Sequence, residues 1–413
     1  MGIVPNRASS ADYDDDMKRA KAAGIDAFAL NIGTDDYTRK QLSFAYESAA
    51  NNDMKVFISF DFSRFSPSDP AAVAALIKEF GDKAGQLKVD DKVFVSTFIG
   101  DALNVGALRA ALPDMPIYFV PNFNPNATPD PQALDGAFNW MGWNHDGNNR
   151  APKPGKIVTV KDGDDAYKNW LGAKDYMAPV SPWFFTHYGP ETYNKNFVFP
   201  GDLVWFQRWN GILASPPRFL EIQTWNDYGE SHYVGPLSSI HTDDGNSKWV
   251  NDMPHNGWLD MAKPFIAAYK ASASSVGPSF IDDDQLIYWY RPTKKTVTCA
   301  TDNTMGPPDG YETFEDSVFV VSLLKEAGTV SVSSGDNTKS FEAPAGASAW
   351  KLDMGVGKQK FELNRGGQAV LEATSLRDIS GDCPCGIYNF NAYVGTVPTG
   401  DSDALRPDAL AAC

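Results

Sequence analysis

At 413 residues the chain is too long for one ordinary core, so two domains are expected, one of them large enough to be a barrel. Hydrophobic residues at 43% and charged ones at 21% exclude a disordered chain, and no stretch approaches the ~20 apolar residues that cross a bilayer. A net charge of −16 without any Lys/Arg cluster speaks against nucleic acid and membrane partners; it leaves neutral polar substrates, for which 11 Trp, 16 Tyr and 25 Phe supply flat apolar faces.

In chain order, "MGIVPN" comes first, then "SADYDDDMKRAKAAG", a helix stopped at Gly24. "IDAFALNIG" and "MKVFISFDF" are short runs, apolar almost throughout, as parallel strands buried on both faces should be, and "TRKQLSFAYESAANND" is the helix between them. "SPSDPAAVAALIKEFGDK" is the next helix. Asp69 is its expected N-cap, Pro70 fits the first turn, and Val73, Leu76, Ile77 and Phe80 make one apolar stripe. "KVFVSTFIG" and "PIYFVPNF" are further strands. "GAFNWMGWN", a helix at "DDAYKNWLGAK", "DYMAPVSPWFF", a helix at "GDLVWFQRWNGILA", "FLEIQTWND" and the helix "GWLDMAKPFIAAYKAS" continue the alternation. Repeated β-then-α units in this number predict an α/β fold, a closed (β/α)8 TIM-like barrel, over residues 1–274. Only seven strands are convincing. The first must precede the opening helix, and "MGIVPN" is either its tail or all that the chain carries of it.

Past Ser274 the texture changes. "QLIYWYRP", "KTVTCA", "SVFVVSLL", "TVSVSSG", "QKFELN" and "QAVLEATS" alternate apolar with polar between Gly, Asp, Asn and Pro, predicting a C-terminal antiparallel β-sandwich domain over 275–413. All four cysteines lie there. The thiols of the Cys383-Pro384-Cys385 segment are badly placed to bridge each other, which leaves Cys299 and Cys413 as their partners in two disulfides. A zinc site competes, but paired Cys-x-x-Cys elements and nearby His are missing. Disulfides, the lack of a leader peptide at the start and the sequon "NAT" at Asn126 fit a mature secreted protein, extracellular or in a cell wall.

In such a barrel the reactive groups gather at the C-terminal ends of the strands. The polar residues ending the apolar runs are Asn31, Asp61, Asp101, Asn122, Trp143 with Asn144, Trp183 with His187, and Trp225, Asn226, Asp227, Glu230, His232 and Tyr233 in "TWNDYGESHYVGP". Asp, Asn and His grip hydroxyls, and Trp stacks on pyranose faces. Asp227 and Glu230 are the sharpest signal, because glycosidic cleavage uses two carboxyl groups and flanking aromatics can raise the pKa of one. The plain alternative has Asp227 capping a helix and Glu230 in solvent. Asp61 is as well explained by a strand-end hydrogen bond, Asn31 and Asn122 by turns, and His187 and His232 by structural roles. Trp205 and Trp209 sit on a helix and belong to the core. There is no G-x-S-x-G, H-E-x-x-H or P-loop, and no metal or cofactor is expected, so chelators should leave turnover unchanged.

The segments "AGIDAFALNIG", "VFISFDF", "VSTFIGD", "NWMGWN", "SPWFFTHY" and "TWNDYGESHYVGP", in this order and spacing, resemble glycoside hydrolase family 71, the fungal α-1,3-glucanases or mutanases, across essentially the whole chain. The resemblance implies an inverting glucanase with Asp61, Asp227 and Glu230 as its acidic residues: Glu230 the general acid, Asp227 the base and Asp61 assisting. It also implies α-1,3-glucan as partner and a monomer. Family members begin with a strand of the type "FAHF", which is missing here. The competing readings are a barrel glycosidase acting on another α-glucan or on mannan, and a catalytically silent glucan-binding protein.

Overall fold

The computed structural model describes residues 1–128, 130–242, 247–299 and 305–400. It is a mixed α/β protein in which parallel sheets come first and antiparallel sheets last. β1 (Ala27–Ile32), β2 (Lys55–Asp61), β3 (Lys88–Val89), β4 (Lys92–Phe98) and β5 (Ile117–Pro121) make one sheet; β1, β2, β4 and β5 are parallel neighbours and β3 is an antiparallel edge piece. β6 (Gly136–Phe138), β7 (Asp175–Val180) and β10 (Phe219–Ile222) make a second parallel sheet in the order β10–β7–β6. Between β7 and β10 the chain inserts an antiparallel hairpin, β8 (Phe185–Tyr188) with β9 (Lys195–Val198).

The two parallel sheets meet through specific bonds. Asp135 N donates to Phe119 O (3.1 Å) and Asn122 Nδ2 to Phe138 O (3.0 Å), joining the ends of β5 and β6. On the other side Gly2 pairs in parallel with Asn31, whose N–H reaches Met1 O at 2.9 Å, so the opening residues do continue the sheet beyond β1. The Asn226 side chain then stands in for a strand: its Oδ1 accepts from Gly2 N and its Nδ2 donates to Gly2 O, both at 2.9 Å.

Helices separate the strands: α1 (Asp14–Ala22), α2 (Thr38–Asn51), α3 (Pro70–Phe80), α4 (Val105–Ala110), α5 (Val160–Leu171), α6 (Val204–Ala214), α7 (Ser247–Val250) and α8 (Asn256–Lys270). α3 starts as its sequence dictates: Asp69 Oδ1 accepts from Ala72 N at 3.1 Å, Pro70 opens the helix, and Val73, Leu76, Ile77 and Phe80 are buried. α1 stops at Gly24, whose φ of +85° is the left-handed conformation glycine adopts without strain. Trp205 and Trp209 of α6 are fully enclosed. No helix among the described residues is long and apolar enough to cross a membrane.

The C-terminal part holds β11 (Gln285–Tyr290), β12 (Ser317–Leu324), β13 (Gly328–Ser334), β14 (Asn337–Ala343), β15 (Gly346–Asp353), β16 (Gln359–Arg365), β17 (Gln368–Thr374) and β18 (Tyr393–Val397). They form two antiparallel sheets, β15–β12–β11–β18 and β14–β13–β16–β17. Leu286, Tyr288, Tyr290, Val318 and Val320 of the first pack with Val330, Val332, Phe361 and Leu363 of the second. Ile287, Trp289 and Phe319 face the other way and share a core with Trp258 of α8.

Two details differ from the sequence expectation. Among the described residues of "KTVTCA", Lys295–Cys299 form no strand: Lys295 N binds Asp316 Oδ1 (2.9 Å) and Val297 N turns back to Lys294 O (3.1 Å). Conversely, β14, β15 and β18 were not foreseen. β14 is an exposed edge that buries almost nothing, so "NTKSFEA" carries no apolar alternation to detect. Cys299 is bonded to Cys383 and Cys385 is also disulfide-bonded, which agrees with two bridges from the Cys-Pro-Cys segment; Cys413 lies outside the described residues.

Candidate active site

Side chains alternate along a strand, so residues two apart share a face. Phe57, Phe94, Tyr118, Phe138, Met177 and Phe219, from β2, β4, β5, β6, β7 and β10, pack together with Ala27 and Ala29 of β1 as a core separate from the one beneath the helices. Advancing along the same face leads through Ser59, Ser96 and Glu221 to Asn31, Asp61, Phe98, Asn122, Trp140, Ser181 and Gln223. Polar groups therefore become frequent toward the strands' C-terminal ends, above an apolar plug.

A cleft of about 850 Å³ opens there, and Asn31, Asp61, Trp143, Asn226, Asp227, Glu230 and His232 all line it. After β10 the chain folds back on itself. Asp227 N binds Thr224 Oγ1 (3.1 Å), the Thr224 hydroxyl donates to His232 O, His232 N donates to Asp227 O (3.0 Å), and Val234 N returns to Thr224 O (3.0 Å). A 3-10 turn, Tyr228–Glu230, fills the tip, and Ser231 follows with φ +50°. Gly235 is obligatory: a Cβ there would lie 2.5 Å from Trp225 O. This fold-back turns the three-residue spacing into proximity, with donor atoms of Asp227, Glu230 and His232 all within 4.8 Å of one another.

Glu230 and His232 are also held by neighbours outside the loop. Glu230 Oε1 accepts from Lys195 Nζ at 2.9 Å, and His232 Nε2 meets Ser181 Oγ at 2.8 Å. Burial pulls the Lys195 ammonium down, yet the Glu230 carboxylate and its hydrogen bond hold it above the ordinary lysine value. His232 is 1% exposed, and burial pushes its imidazole down to about 3. The ring is therefore neutral, bonded to the Gln223 backbone as well as to Ser181, and cannot deliver a proton. Asp61 Oδ1 accepts from Ser63 N at 2.8 Å. Glu221, partly buried at the cleft floor, has its carboxyl pushed up to about 7 by burial.

The remaining expected site residues are dispersed. Asp101 and Asn122 line an adjoining hollow of about 520 Å³ that shares Phe98, Trp140 and Asn149 with the cleft. Asp101 Oδ1 accepts from Thr128 Oγ1 (3.2 Å), and Asn144 Oδ1 accepts from Val160 N (3.1 Å) at the start of α5. Trp183 stacks on Phe314 at 4.8 Å and donates to Phe390 O; His187 binds Asn196 Oδ1 at 2.6 Å beside Trp249. Trp225 meets Phe28 edge-on and donates to Asp16, and Tyr233 stacks on His255 while donating to Met253 O. None of Trp183, His187, Trp225 and Tyr233 lines the cleft. Lys195, Arg150, Trp140, Glu221 and Gln223 do line it and were not anticipated. Glu221 had a readable signal, an acid inside the apolar run "FLEI"; Lys195 had none, since only the hairpin turn brings it across.

The model of the family described as glycosyl hydrolase family 71 matches residues 1–406. A mutanase of Penicillium rubens is 43% identical over 395 residues, covering 94% of this chain and 86% of that protein. A glucan endo-1,3-alpha-glucosidase of Schizosaccharomyces pombe is 34% identical over 407 residues (94% and 91%), and an ascus wall endo-1,3-alpha-glucanase of the same yeast is 27% identical over 419 (95% and 94%). Among solved structures, a GH99 endo-alpha-mannosidase from Bacteroides thetaiotaomicron aligns with TM-score 0.47 at 12% identity, covering 65% of this chain and 89% of that one.

Proposed function

The chain belongs to glycosyl hydrolase family 71, and on that premise we propose that it hydrolyses α-1,3-linked glucan with inversion at the anomeric carbon. The observation that carries the reading is the cleft that Asp61, Asp227 and Glu230 all line, over an apolar plug. Inversion needs one carboxyl group to protonate the leaving oxygen and another, about 6.5–9.5 Å away, to activate water. One oxygen of Asp227 and one of Glu230 lie within 4.8 Å of each other, below that range, which favours a base other than Asp227. We therefore assign them jointly to the leaving-group proton and Asp61, from β2, to the water. This replaces the expected division in which Asp227 was the base.

The glucosyl units lie against Asn31, Trp143 and His232 in the cleft, and the hollow at Asp101 and Asn122 extends the groove for neighbouring units. The parallel strands close into one eight-membered ring over residues 1–274, with the opening residues as its first member. The Asn226–Gly2 pair and the Asn122 and Asp135 bonds support that closure. The two antiparallel sheets form a sandwich domain over 275–413 that buttresses the ring through Trp289 and Trp258. The disulfides fit a secreted monomer acting outside the cell or in its wall.

The test is the anomeric configuration of the first product, followed by NMR on soluble α-1,3-gluco-oligosaccharides. Initial β-glucose is expected, and initial α-glucose would overturn inversion. Reducing sugar should appear from α-1,3-glucan and not from starch or mannan run alongside.

A further inference from the structure

Resting on the assignment of Asp227 and Glu230 as the proton-handling pair, we propose that Lys195 is a positioning residue that fixes Glu230 as the anionic member, so that Asp227 carries the proton for the leaving oxygen. Lys195 comes from outside the "TWNDYGES" loop, on the hairpin inserted between β7 and β10. Its strand β9 is held on both sides, by the partner strand β8 and by residues 306–309. Asn196 Oδ1 meets His187 Nδ1 at 2.6 Å, Asn196 Nδ2 donates to Gly306 O (3.1 Å), and Val198 N donates to Asp309 O (3.0 Å). The strand therefore presents Lys195 from a fixed base, and its Nζ reaches Glu230 Oε1 at 2.9 Å.

A general acid must carry a proton, and two carboxylates this close repel when both are ionised. An ammonium bonded directly to one member settles where that proton sits: on the other. Lys195 also feels Asp227, but more weakly than Glu230. Lys195 is itself a poor donor, since Glu230 holds its own proton firmly in place. Of the other groups around the pair, the Met1 ammonium also feels Asp227, but less than it feels Glu221, and burial pulls it down to about 6. His232 is neutral, and Tyr193 of the same hairpin is near the Lys195 ammonium. Arg150 is stacked on Phe197 at 4.3 Å. From the remaining walls come Asp61, Glu221 and the Asp35–Arg64 pair, whose closest approach is 3.5 Å.

The step balances without a co-reactant. The Asp227 proton passes to the glycosidic oxygen as the C1–O bond breaks and its electrons move to that oxygen. Water forms the new C1–O bond and loses a proton to Asp61. Asp227 ends as carboxylate, Asp61 as acid, Glu230 is unchanged, and solvent exchange resets the pair.

The experiment compares Lys195→Met and Lys195→Arg on soluble α-1,3-gluco-oligosaccharides across pH, with Asp227→Asn and Glu230→Gln alongside. The Lys195 side chain is 46% exposed, so its removal should not unfold the protein; a thermal melt checks this, and Lys195→Gln replaces the Met variant if it fails. For Lys195→Met, kcat should fall roughly 2- to 10-fold with KM within ~3-fold, because the proton is now shared with Glu230. Loss of the nearby cation should also move the alkaline limb of the rate profile up by roughly one pH unit. Lys195→Arg should restore most of both. Wild-type kcat and an unmoved alkaline limb in Lys195→Met would overturn the proposal, as would a rate loss that Lys195→Arg fails to rescue while the pH profile stays put. If Asp227→Asn and Glu230→Gln both turn over normally, the underlying assignment of the acidic pair fails, whatever Lys195 does.

Discussion

Asp16 and Asp15 are neighbours on α1, and burial alone separates what their loss should do. Asp16 is 2% exposed and accepts from Arg7 Nη1 (2.7 Å), Ser239 Oγ (3.0 Å) and Trp225 Nε1 (2.8 Å). The Arg7 side chain it pairs with is 0% exposed. Asp16→Ala would leave that guanidinium buried without a counter-charge, a defect of about 3–5 kcal/mol. It would also orphan the Trp225 N–H, a further cost of about 1–3 kcal/mol that is not simply additive. Against a typical stability of about 5–15 kcal/mol, the variant should be marginal at 25 °C. Because Trp225 begins the loop that carries Asp227 and Glu230, turnover should drop before global unfolding. Asp15, by contrast, pairs with Arg19 where the side chains are 64% and 42% exposed, so Asp15→Ala should cost less than ~1 kcal/mol. Urea titrations of both variants against the parent at pH 7 measure the difference. A loss below ~1 kcal/mol for Asp16→Ala, or equal losses for the two, would refute the reasoning that burial decides the worth of these pairs.

Glu230→Gln and Asp227→Asn should each lower kcat by roughly 10²–10⁴-fold while glucan binding persists, as measured by oligosaccharide titration; full turnover in either would remove that residue from the chemistry. The His232 imidazole has a folded pKa of about 3 against 6.5 unfolded, so the stability tied to its neutral form is complete above pH 6.5 and is lost as pH falls toward 3. At pH 5 that loss amounts to ~2 kcal/mol, and His232→Gln should shrink the measured pH 7-to-5 stability change by that amount; an unaltered slope would mean the ring is not buried neutral. The Cys299–Cys383 bridge closes a separation of 84 residues, so Cys383→Ser should cost about 4–5 kcal/mol in denaturant titration by the chain-entropy estimate. An unchanged midpoint would contradict that.

Much of the α/β part was legible because its signals are local. The apolar runs that become β2, β4 and β5 are buried on both faces, so their period is nearly continuous and hard to mistake, while β1 is half-buried on one face. α3 announces itself through Asp69, Pro70 and a single stripe. The motif loop was legible too, since Asp227 and Glu230 stand with Gly229 and Gly235 in one short stretch. β14 and the hairpin strand β9 were not, because exposed or inserted strands bury too little to impose a pattern. Trp183, Trp225 and Tyr233 were expected to face substrate from their place after apolar runs. Which way a large ring turns depends on partners distant in the chain, here Phe314 for Trp183, Phe28 for Trp225 and His255 for Tyr233.

The residue order by itself determined where most strands and helices of the α/β part fall and that acidic groups would cluster behind β10, because periodicity, caps and glycines act within a few residues of themselves. Only the tertiary structure decided which groups share the cleft and in what electrical state. The Lys195 contact to Glu230 spans 35 positions and the Asp16 contact to Trp225 spans 209. Charge pairing and burial depend on distance through space, and the chain's order does not carry that distance.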